Sequence, residues 1–559
     1  MAIELSNITF TEQDDIVPAS GVELILNTGI ANTLAGNDRI TGSGSPAPHY
    51  GNGYGISNSG TFNTGEGDDV ITGITAGQGA ISNSGTFNTA EGDDIITADA
   101  QWDTWSLYNT GTFNTGEGND TITAYAGLAA GLENSGTFNM GEGNDVITGE
   151  GYYYGILTSG SIFDTGDGND KIRGNGRNFS NFPTSGITNS SSIFNTGDGN
   201  DTIEGSGVYG IYNGTLINTG NGKDIITGNS NATSGSYESG GIYNWGTINT
   251  GNNDDIITST AVVTDGGVIK SGSGISNKGT IDTGNGQDSI ISVGNFTNEG
   301  WVFLGDGNDS LTASIIAEVG LPNLAIENVS SIETGDGDDI ITSTGVIYNH
   351  NEGTIDTSDG NDSIISVGNF TNRGNVFLGE GNDSITGDTG FPNRAIENFN
   401  FIGTGNGDDI ITSTSAIYNE GIINTGNGDD SIIVNGGFDD NGTRYGIYNN
   451  GGAINTGDGN DSIIANEGFE SAPNSSGAWF LGEGEDYIKG FGSGDFYGGN
   501  GQDTLELTPG TYTVGRWGAT VTFSKGSSLM LASEFEELIA GGTTHLFASL
   551  TQGQTIVVA

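Results

Sequence analysis

The chain has 559 residues, 101 of them glycine and none cysteine, and its 13 basic residues against 70 acidic ones give a formal net charge of −57. That balance excludes nucleic acid and anionic membrane surfaces as partners, because almost nothing basic is present to neutralise phosphate; small cations are the natural partners. Lack of cysteine excludes a disulfide framework and thiol chemistry, and no run approaches the ~18 apolar residues of a membrane span.

In chain order, residues 1–32 open with MAIELSNITFTEQDD. This stretch has no basic segment followed by an apolar one, so no Sec-type leader is expected. It lacks the motif that follows and is expected to cap it.

Residues 33–505 are a repeat. TGEGDDVIT at 64–72 returns as TGEGNDTIT at 115, TGDGNDKIR at 165, TGNGDDIIT at 404 and GGNGQDTLE at 498. Aligned on the last acid of the turn, nineteen aspartates share one register: Asp38, Asp69, Asp94, Asp120, Asp145, Asp170, Asp201, Asp224, Asp255, Asp288, Asp309, Asp339, Asp362, Asp383, Asp409, Asp430, Asp461, Asp486 and Asp503. Two residues after each stands Ile, or Leu at 311 and 505. A second signal precedes many of the turns, as in Ile56, Asn58 and Phe62 before Gly65, or Ile81, Asn83 and Phe87 before Ala90.

One unit therefore reads as a short I-x-N strand, a turn, a T-F-N strand, the acidic turn and a V-I-T strand. Such a unit buries too few side chains to fold alone, whereas stacked copies share a continuous core. The predicted fold is all-β: a right-handed parallel β-solenoid, β-roll or β-helix in kind, of about nineteen coils with three short strands each. Length varies between the third strand and the next I-x-N, so inserts are expected at one corner. Tyr152–Tyr154, Trp102 and Trp105 lie in such inserts and are candidates for stacking on sugars. Residues 506–559 change character, ending in TIVVA, and are expected to form a C-terminal cap.

The acidic turn points to a metal. Glycines at its second and fourth positions permit positive φ and close backbone approach. The sixth-position Asp supplies a hard oxygen, which with backbone carbonyls suits Ca²⁺. Stacked aspartates about 5 Å apart repel by roughly 1 kcal/mol per pair even in water, and twelve turns add Glu or Asp at the third position. Cations between coils relieve this. Lys223, inside one turn, is expected to compete with its ion.

These turns resemble the RTX, or haemolysin-type, calcium-binding repeats, G-G-x-G-x-D-x-(L/I)-x, which Gly498–Leu505 fits without change. The resemblance covers about residues 33–505. It implies a parallel β-roll with Ca²⁺ held between turns by carbonyls and by the sixth-position carboxylates named above. The stretch from GFGSGDFYGGNGQDTLEL to the end resembles the end of cyanobacterial RTX-type proteins, which implies an uncleaved type I secretion signal at 506–559 and type I export machinery as a partner. Family repeats run two per coil; here one acidic turn occurs per longer coil.

The functional expectation is a secreted, calcium-binding structural protein of the cell surface or extracellular matrix, folding on calcium after export, with self-assembly or surface polysaccharide as partner. The alternative is a calcium-dependent adhesin or glycan-binding protein. An enzyme is not expected: acid pairs such as Asp68/Asp69 recur in coil after coil, and His49, His350 and His545 are scattered.

Overall fold

The computed structural model describes residues 2–18, 23–44, 53–101, 105–177, 184–232, 239–265, 268–315, 324–388, 394–438, 444–471 and 477–559. His49 and Trp102 lie outside the described residues. The chain divides into two compact units, Met1–Phe296 and Thr297–Ala559. Each is a parallel β-solenoid in which every coil gives one strand to each of three sheets.

In the first unit, one coil runs Ile81–Asn83, Thr86–Asn88 and Ile95–Ala100. The third strand is six residues long, twice the expected V-I-T, because Gly or Ala two residues beyond the buried Ile continues the alternation. Register is in phase throughout: Phe87 pairs with Phe62 and Phe113, and Ile96 with Ile71 and Ile122. Parallel pairing of identical residues follows from the repeat, since a slip of one would turn each Ile outward. Each coil buries one large apolar residue per sheet, such as Ile81, Phe87 and Ile96. The phenylalanines form a column from Phe62 to Phe194 with ring centroids 4.6–5.1 Å apart.

The I-x-N asparagines are buried and form their own column. Asn58 Nδ2 donates to Asn83 Oδ1 at 2.7 Å and to the Thr86 carbonyl at 2.8 Å, and the pattern repeats at Asn83 and Asn109. Each amide satisfies two groups of the next coil, which is why Asn holds its offset from the turn. Residues 1–32 supply strands of their own: Ala2–Glu4 pairs with Leu24–Leu26, and Ile30–Asn32 with Thr61–Asn63.

The second unit repeats the scheme. Ile347, Ile355 and Ile364 fill one coil's interior, and its asparagines, Asn328, Asn349, Asn372 and Asn398, bond in sequence at 2.9 Å. The C-terminal stretch continues the stack. Ser528–Ser533 pairs in parallel with Gly494–Gly501, and Glu537–Ala540 with Thr504–Leu507. Antiparallel strands Gly510–Trp517, Thr520–Lys525 and Thr555–Val558 then close over Tyr512, Val514 and Phe523.

Candidate metal centre

The acidic turn is built by two glycines in conformations that side chains avoid. Gly116 and Gly118 have φ of 113° and 146°. Successive turns nest so closely that a Cβ on Gly141 would lie 1.7 Å from the Gly116 oxygen, and one on Gly143 1.7 Å from the Gly118 oxygen. The glycine carbonyls of one coil are thus aimed at the next. Where other residues stand, the turn survives: Leu34, Ala90, Asn253 and Ser358 keep φ of 83°, 73°, 86° and 62°.

The sixth-position aspartates are buried, at 0–1% exposure. They form one column per unit. Each Oδ1 accepts the backbone N–H of the preceding coil's aspartate: Asp69 N–H donates to Asp94, Asp94 to Asp120 and Asp120 to Asp145, all at 2.7–2.8 Å. In the first unit the column begins where Asp15 N–H donates to Asp38 and runs to Asp288. In the second it runs from Asp309 to Asp503, whose own N–H donates to Glu536 Oε2 at 3.0 Å. All nineteen residues singled out by the repeat therefore share one environment.

The second oxygen is different. Oδ2 of Asp69, Asp94, Asp120, Asp145, Asp383 and Asp486, among others, is buried with no hydrogen-bond partner. The turn's leading threonine mostly donates to the next coil instead, as Thr89 does to the Thr115 carbonyl at 2.9 Å. Thr196 and Thr404 donate to Asp201 and Asp409. Burial pushes these carboxyls up, Asp94, Asp145 and Asp255 to about 8 and Asp69 to about 6. The turn's threonine hydroxyl, where there is one, and then the incoming N–H bond offset part of this, as Thr89 and Asp69 do at Asp94, and neighbouring aspartates of the column raise it further.

The fifth-position residues form a second column that the spacing alone did not separate from the first. Asp68, Asp93, Asn119, Asn144 and Asn169 are exposed, and their ladder runs the other way: Asp93 N–H donates to Asp68 Oδ1, Asn119 to Asp93 and Asn144 to Asn119, at 2.8–3.0 Å. Hydrogen bonds from Asn119 hold the Asp93 carboxyl below its usual value. Asp68 and Asp69 thus face opposite sides of one turn. Lys223 belongs to the exposed column and pairs with Asp254 of the next coil, so it does not reach the buried carboxylates. Its position in the turn points it outward.

A buried carboxylate oxygen without a donor and the glycine carbonyls of the same turn offer oxygen ligands alone. Such a set fits a hard divalent cation and not a soft one. Among the described residues no three His, Cys, Asp or Glu side chains gather as a metal cluster, so backbone oxygens must complete any coordination shell. Elsewhere, His350 Nε2 lies 2.9 Å from Glu327 Oε1, and Trp105 stacks on Tyr108 at 5.1 Å.

No protein-family model matches the chain, and no curated protein matches it. Among solved structures, it is similar to one titled as the X-ray crystal structure of a hyperactive, Ca²⁺-dependent, β-helical antifreeze protein from an Antarctic bacterium. That similarity covers 81% of this chain and 84% of the other, at 17% identity and a TM-score of 0.21. So weak a superposition carries no argument, and the site rests on this chain's own residues.

Proposed function

We propose that the protein is a calcium-binding structural solenoid of the RTX kind, with an ion between adjacent coils held by the sixth-position carboxylates and turn carbonyls. The observation that carries this reading is the buried column of aspartates with unpartnered Oδ2 atoms. Ionised and unscreened, such a column repels itself at every coil, and each carboxylate also loses hydration. A divalent cation offsets both costs. The residues' own part is to hold oxygens at a fixed spacing: the Oδ1 ladder fixes each carboxylate, and the glycines bring the backbone oxygens close. Because an ion needs two coils, binding favours the stacked state over the unfolded one.

Affinity in the range of extracellular calcium modules, roughly 10⁻⁴–10⁻³ M, leaves the chain unfolded in a low-calcium cytosol and folds it outside. On that affinity the reading is of a secreted protein of the surface or matrix, with residues 506–559 proposed as the export signal. We read the protein as non-catalytic, since its acids recur coil after coil and the pair Asp68/Asp69 is split between outside and inside. The test is metal content by mass spectrometry after dialysis against millimolar calcium. Close to one calcium per pair of adjacent coils is expected; one or two ions per chain would overturn the reading.

A further inference from the structure

The second sheet of the second unit has an outer face unlike that of the first. In the first unit that face carries small polar residues, such as Thr86 and Asn88, then Thr112 and Asn114, in paired register, with the aliphatic Ile30, Ile162 and Ile193 exposed in the same column. Its asparagines bond to one another, Asn114 to Asn88 at 2.6 Å. In the second unit the same two outward columns read Asn375, Phe401, Ile422, Ala453 and Ala478, and Phe377, Gly403, Asn424, Asn455, Phe480 and Tyr497.

Of these aromatics Phe377 and Phe480 are exposed, and Phe401 and Tyr497 are half-buried. Phe377 is 40% and Phe480 41% exposed. The Phe401 ring lies over Gly403, where a Cβ would come within 2.7 Å of it, and so rests against the sheet with its centroid 5.3 Å from that of Phe377. Phe480 and Tyr497 stack at 5.1 Å. Between the two pairs lie the amides of Asn424 and Asn455, joined at 2.6 Å. A groove of about 840 Å³ runs beside the first pair, floored by Ile422, Ala453 and Ala478, with Asn375, Asn400 and Glu420 among its polar groups.

We propose that this face binds an extended neutral polysaccharide strand lying along the coils. Flat aromatic rings offer surfaces for the C–H faces of pyranose rings, and the interposed amides and Glu420 offer partners for hydroxyls, the mixture expected of a specific site. Exposed apolar area of this kind marks an interaction surface. The coil pitch of about 4.8 Å is close to the advance of one sugar in an extended β-linked chain, so successive rings meet equivalent coils. The net charge of −57 disfavours an anionic polymer, and it equally disfavours a second copy of this chain. The inference stands on these side chains and not on the calcium reading.

The experiment is calorimetric titration of the full-length protein in calcium with cellohexaose, mannohexaose and xylohexaose, with an oligoguluronate as the anionic comparison. Binding of at least one neutral oligomer is expected. Phe377→Ala with Phe401→Ala should weaken it by about tenfold or more without changing the circular dichroism. Phe377→Trp should preserve it, and Thr112→Ala in the first unit should leave it unchanged. No binding of the neutral oligomers, binding indifferent to the double substitution, or tighter binding of oligoguluronate would each overturn the proposal. So would self-association, by sedimentation, that the same substitutions abolish.

Discussion

Two polar columns run through the same turns one residue apart, the inner all Asp and the outer a mixture of Asn and Asp with a few others, and they behave as opposites. The sixth-position column is buried, accepts N–H groups from the preceding coil and has its carboxyls pushed up; Asp145, at about 8, is an instance. The fifth-position column is exposed, bonds in the reverse direction, and its carboxyls at Asp93 and Asp338 are held down. The difference shows that sequence neighbours with one side-chain chemistry acquire two roles from orientation alone. The outer column ties coils together in water. The inner one stores a repulsion that only a cation or a proton relieves.

The largest expected effect comes from removing the cation. In excess chelator at pH 8, far-UV circular dichroism should lose most of its β signal and regain it on adding millimolar calcium. A full β spectrum in chelator would mean that the inner column is stable ionised and alone, and the contrast between columns would lose its energetic meaning.

Protons should substitute for calcium in part. Burial raises Asp94, Asp145 and Asp255 to about 8 and Asp69 to about 6 in the folded state, against about 3.9 unfolded. Between those values the folded state holds more protons, so stability falls as pH rises. Their contribution is fully present below about pH 4 and is lost through pH 6–8. The outer column works with the opposite sign: Asp93 and Asp338 contribute above the unfolded value and lose that contribution in stronger acid. Calcium-free protein should therefore melt at a higher temperature at pH 5 than at pH 8, whereas saturating calcium should remove or invert that trend. A calcium-free melting temperature that rises from pH 5 to 8 would show that the inner carboxyls are not protonated in the fold.

Much of this fold was legible in the repeat. An apolar residue two places after every sixth-position Asp, and Asn at a fixed distance before the turn, located the buried columns without a structure. Where a turn carries two adjacent acids, as at Asp68/Asp69 and Asp93/Asp94, which of them faces inward was harder to read, because spacing within one turn cannot separate them. The signal lay in substitution between coils: the sixth position is Asp in all nineteen turns, while the fifth takes Asn, Asp, Lys, Gln or Glu. A buried oxygen ladder tolerates one geometry, and a solvated one tolerates several. Lys223 follows the same logic, since only the outer column has room for an ammonium.

Single substitutions should separate the columns. Asp120→Ala removes the acceptor of the buried Asp94 N–H and one oxygen pair from the inner column. In calcium it should cost roughly 1.5–3 kcal/mol, read as a lowered urea midpoint. Asp93→Ala removes acceptors of Asn119 at the surface, where water replaces them, and should shift the midpoint far less. Equal losses would indicate that position in the turn, and not burial, sets the contribution.

The smallest effect concerns the turn that frames both columns. Ala90 stands where neighbouring coils place Gly65 and Gly116, and it holds φ of 73°. An L-residue in this region costs about 1–2 kcal/mol, partly offset by the roughly 0.5–1 kcal/mol of extra chain entropy that glycine loses on folding. Ala90→Gly should therefore stabilise the folded protein by about 0.5–1 kcal/mol. The reverse change one coil later, Gly116→Ala, should destabilise it, because the new Cβ would lie 1.5 Å from the Ala90 oxygen. If Ala90→Gly instead lowers the urea midpoint, the methyl group contributes more by packing than its backbone costs, and the turn tolerates side chains on its rim. If it raises the midpoint, the turn is limited by backbone conformation, which is the constraint that keeps the two acids on opposite faces.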